Sequence, residues 1–384
     1  MNETLIDGSE LKNSAVEAWK ADGGKVVGTI CCHVPEEIIH AAGMLPYRLR
    51  ATGVTETSEG DAWMSPFTCS YARGCLQYLI DGTFAFIDGL VASDGCLMAG
   101  RIYDNWKYVD INKDKEEIFF QQIAAPRTFT PKSIEYYREH LETLRQGLEV
   151  WGGVKITEEK LRASVQLYNE TRRLIRELYE LSKSDTPVLS GEERLRIILA
   201  ASSTPKEKFN EQLRAFLATA GSRKPVAAGR ARIMLVGSAL DDPEYIRIIE
   251  EKGGLVVTDA LCFGTRYLWE PVEPEEGDAL TAIAKSYLGR PVCPRMVDLH
   301  NEFRDFMIGM AKDYRVDGII YSRVKYCEVW GGEGLYFNEQ LQEENIPQIL
   351  LEREEIMTSS GQLAVRAEAF IEMIEKQVGG KIHE

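Results

Sequence analysis

ARIMLVGS (231–238), GGLVVTDAL (253–261), DGIIYSRV (317–324) and PQILLE (347–352) decide the fold of this 384-residue chain. Each is a short apolar run rich in branched aliphatic residues, and the segments between them carry helical spacing. Strands buried on both faces and joined by helix-length crossovers belong to a parallel sheet. The closing helix repeats the signal, with Leu363, Ala367, Phe370, Ile374 and Val378 on one face. This part of the chain is read as a doubly wound α/β lobe.

The same alternation recurs upstream. KVVGTI (25–30), MLPYRLRA (44–51), FIDGLVAS (86–93) and EIFFQQIAA (117–125) have strand length, while PEEIIHAAG (35–43) and the stretch after Cys69 are helical in character. Between the two regions the period changes. Ile134, Tyr137, Leu141, Leu144, Leu148 and Trp151 recur at three- and four-residue steps, as do Leu161, Val165, Tyr168, Ile175 and Leu178. The expected organisation is an α/β lobe over residues 1–130, a helical region over 131–228 and a doubly wound α/β lobe over 229–384. Gly221-Ser-Arg-Lys-Pro-Val and Gly229 form the expected linker. A cleft between the lobes is the expected site.

A composition of 44% hydrophobic and 27% charged residues is ordinary for a globular protein, and this length supports cores without disulfides. The first twenty residues are acidic and amphipathic, and no apolar run approaches the roughly 18 residues of a membrane span. A cytoplasmic protein with no membrane partner is expected. The formal net charge of -15 argues against a nucleic-acid partner. Basic residues nevertheless gather near the cysteine segments: Arg48, Arg50, Arg73, Arg101, Arg266, Arg295, Arg323 and Lys325.

Several chemistries are excluded by absence. There is no G-x-x-x-x-G-K phosphate loop, no G-x-G-x-x-G turn and no G-x-S-x-G elbow, and Trp330-Gly-Gly-Glu-Gly is read as a chain turn. His33, His40, His140, His300 and His383 offer no evident triad. No Cys-x-x-Cys occurs, so any metal site must be assembled from distant segments.

The eight cysteines supply the means. Cys31 and Cys32 follow KVVGTI, Cys96 follows FIDGLVASDG, Cys262 follows LVVTDAL, and Cys327 follows GIIYSRVKY. Cys69 precedes a helical stretch that contains Cys75, and Cys293 lies in RPVCPR. In open α/β sheets ligands bind at the carboxyl ends of strands, so thiols placed there can meet around one prosthetic group. Cys69 is expected at a helix N-terminus, where free N–H groups stabilise a thiolate or a cluster sulfide. Cys75 is six residues further on, about 240° round a helix, and is either a second ligand or a core residue. Adjacent Cys31 and Cys32 point to opposite faces if extended, so one of the two is expected to ligate.

Four blocks then carry a resemblance: CCHVPEEIIHAAGMLPYRL (31–49), TCSYARGCLQYL (68–79), FIDGLVASDGCLMAGRIYDNW (86–106) and VDGIIYSRVKYCE (316–328). In order and spacing they resemble the superfamily of 2-hydroxyacyl-CoA dehydratase and benzoyl-CoA reductase subunits. The resemblance implies two Rossmann-like lobes plus helices, pairing as a dimer, and a buried iron-sulfur site fed by a separate ATP-hydrolysing iron-sulfur activator. In the dehydratase subunits it implies one 4Fe-4S cluster on three cysteines, here matched by Cys69, Cys96 and Cys327. This chain departs from that pattern in its extra cysteines and in Leu97, where many relatives carry an acidic residue.

The surplus thiols look more like the double-cubane cluster protein branch, in which two cubanes joined by a sulfide take six thiolates. The expected set is Cys31, Cys69, Cys75, Cys96, Cys293 and Cys327, with Cys32 an alternative to Cys31 and Cys262 an alternative to Cys293. The functional expectation is an oxygen-sensitive iron-sulfur reductase acting on a small substrate, as a homodimer. Its rivals are a dehydratase or reductase subunit with a single 4Fe-4S cluster, a non-catalytic electron carrier, and a metal-free protein with buried thiols. His33, Glu37 and Glu328 are the candidate proton donors, chosen by proximity in sequence.

Overall fold

The computed structural model describes residues 7–109, 118–226, 229–273, 277–290, 293–356 and 360–380. Helix α1 (Ser14–Ala21) leads into β1 (Val26–Ile30), α2 (Glu36–Ala41), β2 (Leu45–Arg48), α3 (Ser58–Trp63), α4 (Ser70–Ile80), β3 (Gly89–Ser93), α5 (Leu97–Tyr108) and β4 (Phe119–Ile123). Four helices follow: α6 (Pro131–Gly152), α7 (Glu158–Glu180), α8 (Gly191–Ala201) and α9 (Lys206–Ala220). The chain then runs through β5 (Ala231–Gly237), α10 (Pro243–Glu251), β6 (Gly254–Ala260), α11 (Ala279–Gly289) and α12 (His300–Asp313). It ends with β7 (Gly318–Val324), α13 (Glu328–Glu343), β8 (Gln348–Arg353) and α14 (Ser360–Gly380).

The strands form two four-stranded sheets ordered β2-β1-β3-β4 and β6-β5-β7-β8, and every neighbouring pair is parallel. The two sheets therefore share one winding order. In each, the direction of winding reverses at one point, between β1 and β3 and between β5 and β7, and such reversals open the crevice where α/β sheets bind ligands.

Burial explains why the strands read as unbroken apolar runs. All five residues of β1 and of β3 are buried, as are all seven of β6. The edges formed by β2 and β6 are also covered. Arg48 N donates to Ser202 O just beyond α8, and the Arg194 side chain of α8 donates to Val256 O at 2.9 Å. The opposite edges, β4 and β8, carry no further strand among the described residues, and Gln122 and Leu350 are exposed there.

The middle helices form where the apolar stripe predicts them. Tyr137, Leu141, Leu144 and Leu148 of α6 are buried, as are Leu161, Val165, Tyr168, Ile175 and Leu178 of α7. Thr130, Thr157 and Ser190 cap α6, α7 and α8 through their side chains. These helices distribute themselves over both sheets: α6 packs on β4, α7 on α2 and α8 on β6. Helix α11, late in the chain, crosses back. Its Leu280, Ile283, Ala284 and Leu288 join Val27, Val91 and Ile123 in the core beneath the first sheet.

On α14, Ala367, Phe370 and Ile374 pack against the second sheet, while the side chain of Val378 lies outside the described residues. Trp330-Gly-Gly-Glu-Gly is not a turn, as its composition suggested, but part of α13. Trp330 is 2% exposed, and a Cβ on Gly334 would meet the Tyr321 ring at 3.3 Å, so close packing on β7 outweighs the low helix propensity of glycine.

A cysteine-lined cavity as candidate metal centre

Seven of the eight cysteines line one cavity of about 110 Å³ between the carboxyl ends of the two sheets. Cys31, Cys32 and His33 come from the end of β1, and Gly95 and Cys96 from the end of β3. Cys262 follows β6, Cys327 follows β7, Cys69 stands at the start of α4, and Cys293 comes from the segment before α12. Arg48 and Arg266 also face the cavity, and most of the remaining wall is aliphatic or aromatic, including Ile30, Met98, Ile102, Val324 and Trp330. Both winding reversals thus open into one chamber.

Three of the thiols are N-caps: Cys69 of α4, Cys96 of α5 and Cys327 of α13. Cys96 accepts a hydrogen bond from Ala99 N at 3.4 Å. The corresponding N–H groups of Ala72 and Trp330 lie against Cys69 and Cys327 and favour the thiolate without closing a cap hydrogen bond. Burial dominates even so. It pushes the Cys69 thiol up to about 12 and Cys31 to about 11, and raises Cys96 well above its ordinary value. Cys96 interacts with Cys69, Cys31 and Cys327, so the three cap thiols form one neighbourhood that Cys31 borders.

Cys31, Cys32, Cys262 and Cys293 form a second neighbourhood. Its electrostatics are different. Arg48 Nη2 donates to Cys32 Sγ at 3.2 Å and Arg266 Nη2 to Cys262 Sγ at 2.7 Å. A hydrogen bond from Cys262, then the charges of Arg48, Arg266 and Arg290, hold the Cys32 thiol well below its ordinary value, and Cys262 is raised correspondingly. Cys31 sits in the left-handed region at φ 84, and a Cβ on Gly95 would lie 2.3 Å from its sulfur, so this approach of β1 to β3 requires glycine.

The sequence-derived candidates fall in different places. Cys31, Cys69, Cys96, Cys293 and Cys327 are on the wall. Cys75 is not: it is fully buried on the core side of α4 among Leu76, Leu79 and Tyr47, as the turn of the helix between positions 69 and 75 dictates. His33 is on the wall, 1% exposed, with neither ring nitrogen in a hydrogen bond. Burial, then Arg295 and Arg290, depress its pKa well below the usual range, so the ring is neutral. Glu37 lies off the wall in a buried pair with Arg172 at 2.6 Å, and it accepts from Tyr287 Oη at 2.7 Å. Glu328 is exposed, and its carboxylate accepts from Leu97 N at 3.1 Å, tying the first turn of α13 to that of α5. Arg290 escaped the sequence reading, although it stands three residues before Cys293.

The residues present suit an iron-sulfur group. Among the described residues no three cysteine, histidine or acidic side chains are grouped to hold one metal ion. The thiols are instead spread around a shared chamber, an arrangement suited to a polynuclear group. Soft thiolate donors are the ligands such clusters take. Buried guanidinium atoms with no hydrogen-bond partner, Nε and Nη1 of both Arg48 and Arg290, supply positive charge for an anionic thiolate assembly.

Comparison with known proteins agrees with the family that the motifs resemble. The chain belongs to the family described as 2-hydroxyglutaryl-CoA dehydratase, D-component, which it matches over residues 31–374. It is similar to one of the subunits of benzoyl-CoA reductase from Thauera aromatica, at 26% identity over 92% of each chain. It is also similar to the beta subunit of (R)-phenyllactyl-CoA dehydratase from Clostridium sporogenes, at 23% identity over 94% of this chain and 95% of the relative. A third relative is the beta subunit of (R)-2-hydroxyglutaryl-CoA dehydratase from Acidaminococcus fermentans, at 22% over 93% and 94%. The superfamily resemblance read from the four sequence blocks is therefore borne out, and the chain stands among subunits of the dehydratase and reductase kind. No helix among the described residues is long and apolar enough to cross a membrane.

Proposed function

We propose that this chain is an iron-sulfur oxidoreductase whose cavity holds a double cubane, takes electrons from a separate ATP-hydrolysing iron-sulfur activator and reduces a small substrate, working as a homodimer in the cytoplasm. The observation that carries this reading is the seven thiols on one wall, more than a single cubane with an open iron requires. Cys69, Cys96 and Cys327 would hold one half of the group. Cys31 and Cys293 would hold the other half together with Cys32 or Cys262, which face the cavity as Cys75 does not. When bound, such a group supplies storage of electrons at low potential.

The chain's own residues prepare the chamber. The aliphatic wall excludes water, the caps of α4, α5 and α13 direct N–H groups toward sulfur, and Arg48 and Arg266 offset negative charge. His33, neutral and facing the cavity, can donate a hydrogen bond to a bound substrate from one ring nitrogen and accept one at the other.

A second reading has its own support. The three N-cap thiols adjoin one another, and the relatives are dehydratase and reductase subunits, so a single 4Fe-4S subunit is the alternative. Iron and acid-labile sulfide per chain after anaerobic isolation separate the two. About eight irons support the double cubane, about four the single cluster, and a colourless, iron-free protein would sink both. Cys75→Ser is expected to leave the iron count unchanged.

A further inference from the structure

Behind the cavity, two consecutive carboxylates brace the two arginines that reach Cys32. Glu36 and Glu37 open α2 and are 2% and 0% exposed. Glu36 accepts from Tyr267 Oη and pairs with Lys206 at 3.4 Å, whereas Glu37 accepts from Tyr287 Oη and pairs with Arg172. Each tyrosine ring supports one arginine. The Arg48 guanidinium lies 4.6 Å from the Tyr267 ring centre, and that of Arg290 lies 4.0 Å from the Tyr287 ring centre.

Both arginines end on the same residue, Arg48 at the sulfur of Cys32 and Arg290 at its carbonyl oxygen. The carboxylates are already committed to Lys206 and Arg172, which leaves the charge of Arg48 and Arg290 for whatever Cys32 holds. Cys262 has one guanidinium, Arg266, at its sulfur, whereas two converge on Cys32.

We propose that Cys32 supplies the sixth thiolate of the prosthetic group, and that Arg48 and Arg290, fixed by the Tyr267–Glu36 and Tyr287–Glu37 pairs, are positioning residues that raise its reduction potential. This rests on the iron-sulfur reading of the cavity. A guanidinium at the ligating sulfur stabilises the more negative, reduced form, and a hydrogen bond to sulfur acts in the same direction.

The test uses the full chain, isolated anaerobically, with iron analysis and a spectroscopically monitored redox titration. Arg48→Met is expected to keep its iron and to titrate at a lower potential than wild type. Arg48→Lys recovers most of the shift, and Tyr267→Phe shifts in the same direction by less. Cys32→Ser loses iron, and Cys262→Ser retains it. The inference is overturned if Arg48→Met titrates as wild type does, or if Cys262→Ser loses iron while Cys32→Ser keeps it. Should Arg48→Met fail to fold by circular dichroism, Tyr267→Phe, which removes one oxygen, carries the same test. Iron-free wild-type protein would instead overturn the reading of the cavity itself.

Discussion

Cys31 shows how much of the site depends on single residues. A non-glycine residue at φ 84 costs about 1–3 kcal/mol, and here the strain brings the sulfur onto the cavity wall beside Gly95. Gly95→Ala forces its new methyl into that sulfur, so it is expected to destabilise the protein by about 1–3 kcal/mol and to lower the iron bound per chain. Thermal unfolding and metal analysis check both, and unchanged iron would contradict the placement of Cys31 at the group. Glu37 makes the opposite case. Burial raises its pKa, but Arg172 and the Tyr287 hydroxyl outweigh burial and hold it below the usual carboxylate value. A depressed carboxylate contributes stability above the unfolded pKa and loses it as pH falls through the folded one. Glu37→Gln should therefore cost about 3–5 kcal/mol near neutrality and abolish this share of the acid sensitivity, as read by denaturant unfolding across pH. The residue types at the site were legible because thiols after strands are a local pattern. Glu37 was not: sequence proximity to Cys32 suggested a proton donor, and only packing against α7 turned it toward Arg172.

At the scale of elements, the three N-cap cysteines matter as ends of helices that must meet. Helices α5 and α13 belong to different sheets, and the Glu328 carboxylate bound to Leu97 N links their first turns. Because this contact is exposed, Glu328→Ala is expected to cost only about 0.3–1 kcal/mol of stability. Its larger effect should be faster loss of iron to a chelator, since the residues carrying Cys96 and Cys327 are then less firmly held together; a wild-type rate of loss would argue against this link. The central strands were legible because burial on both faces leaves an uninterrupted apolar run, and the edge strands β4 and β8 because aromatic and branched residues still mark strand length. The glycine cluster after Trp330 misled, because glycine marks both turns and close helix packing, and only the neighbouring Tyr321 ring distinguishes them.

For the whole molecule, the order of segments along the chain is not the order of packing. Helix α11 completes the core beneath the first sheet although it follows β6 of the second. A fragment spanning residues 229–384 would expose Leu280, Ile283 and Leu288, each worth about 1.5–3 kcal/mol when buried. Such a fragment is expected to aggregate or to melt without a cooperative transition, and a sharp calorimetric transition would contradict that. The sequence alone determined the strands, the helical stripes and a set of thiols at strand ends, because periodicity and chain position are local properties. Tertiary structure alone decided that seven thiols share one chamber while Cys75 faces the core, that Arg290 reaches Cys32, and that two adjacent glutamates brace that contact. Those relations join residues more than two hundred positions apart, and no spacing in the sequence encodes which sides of two separately wound sheets will face each other.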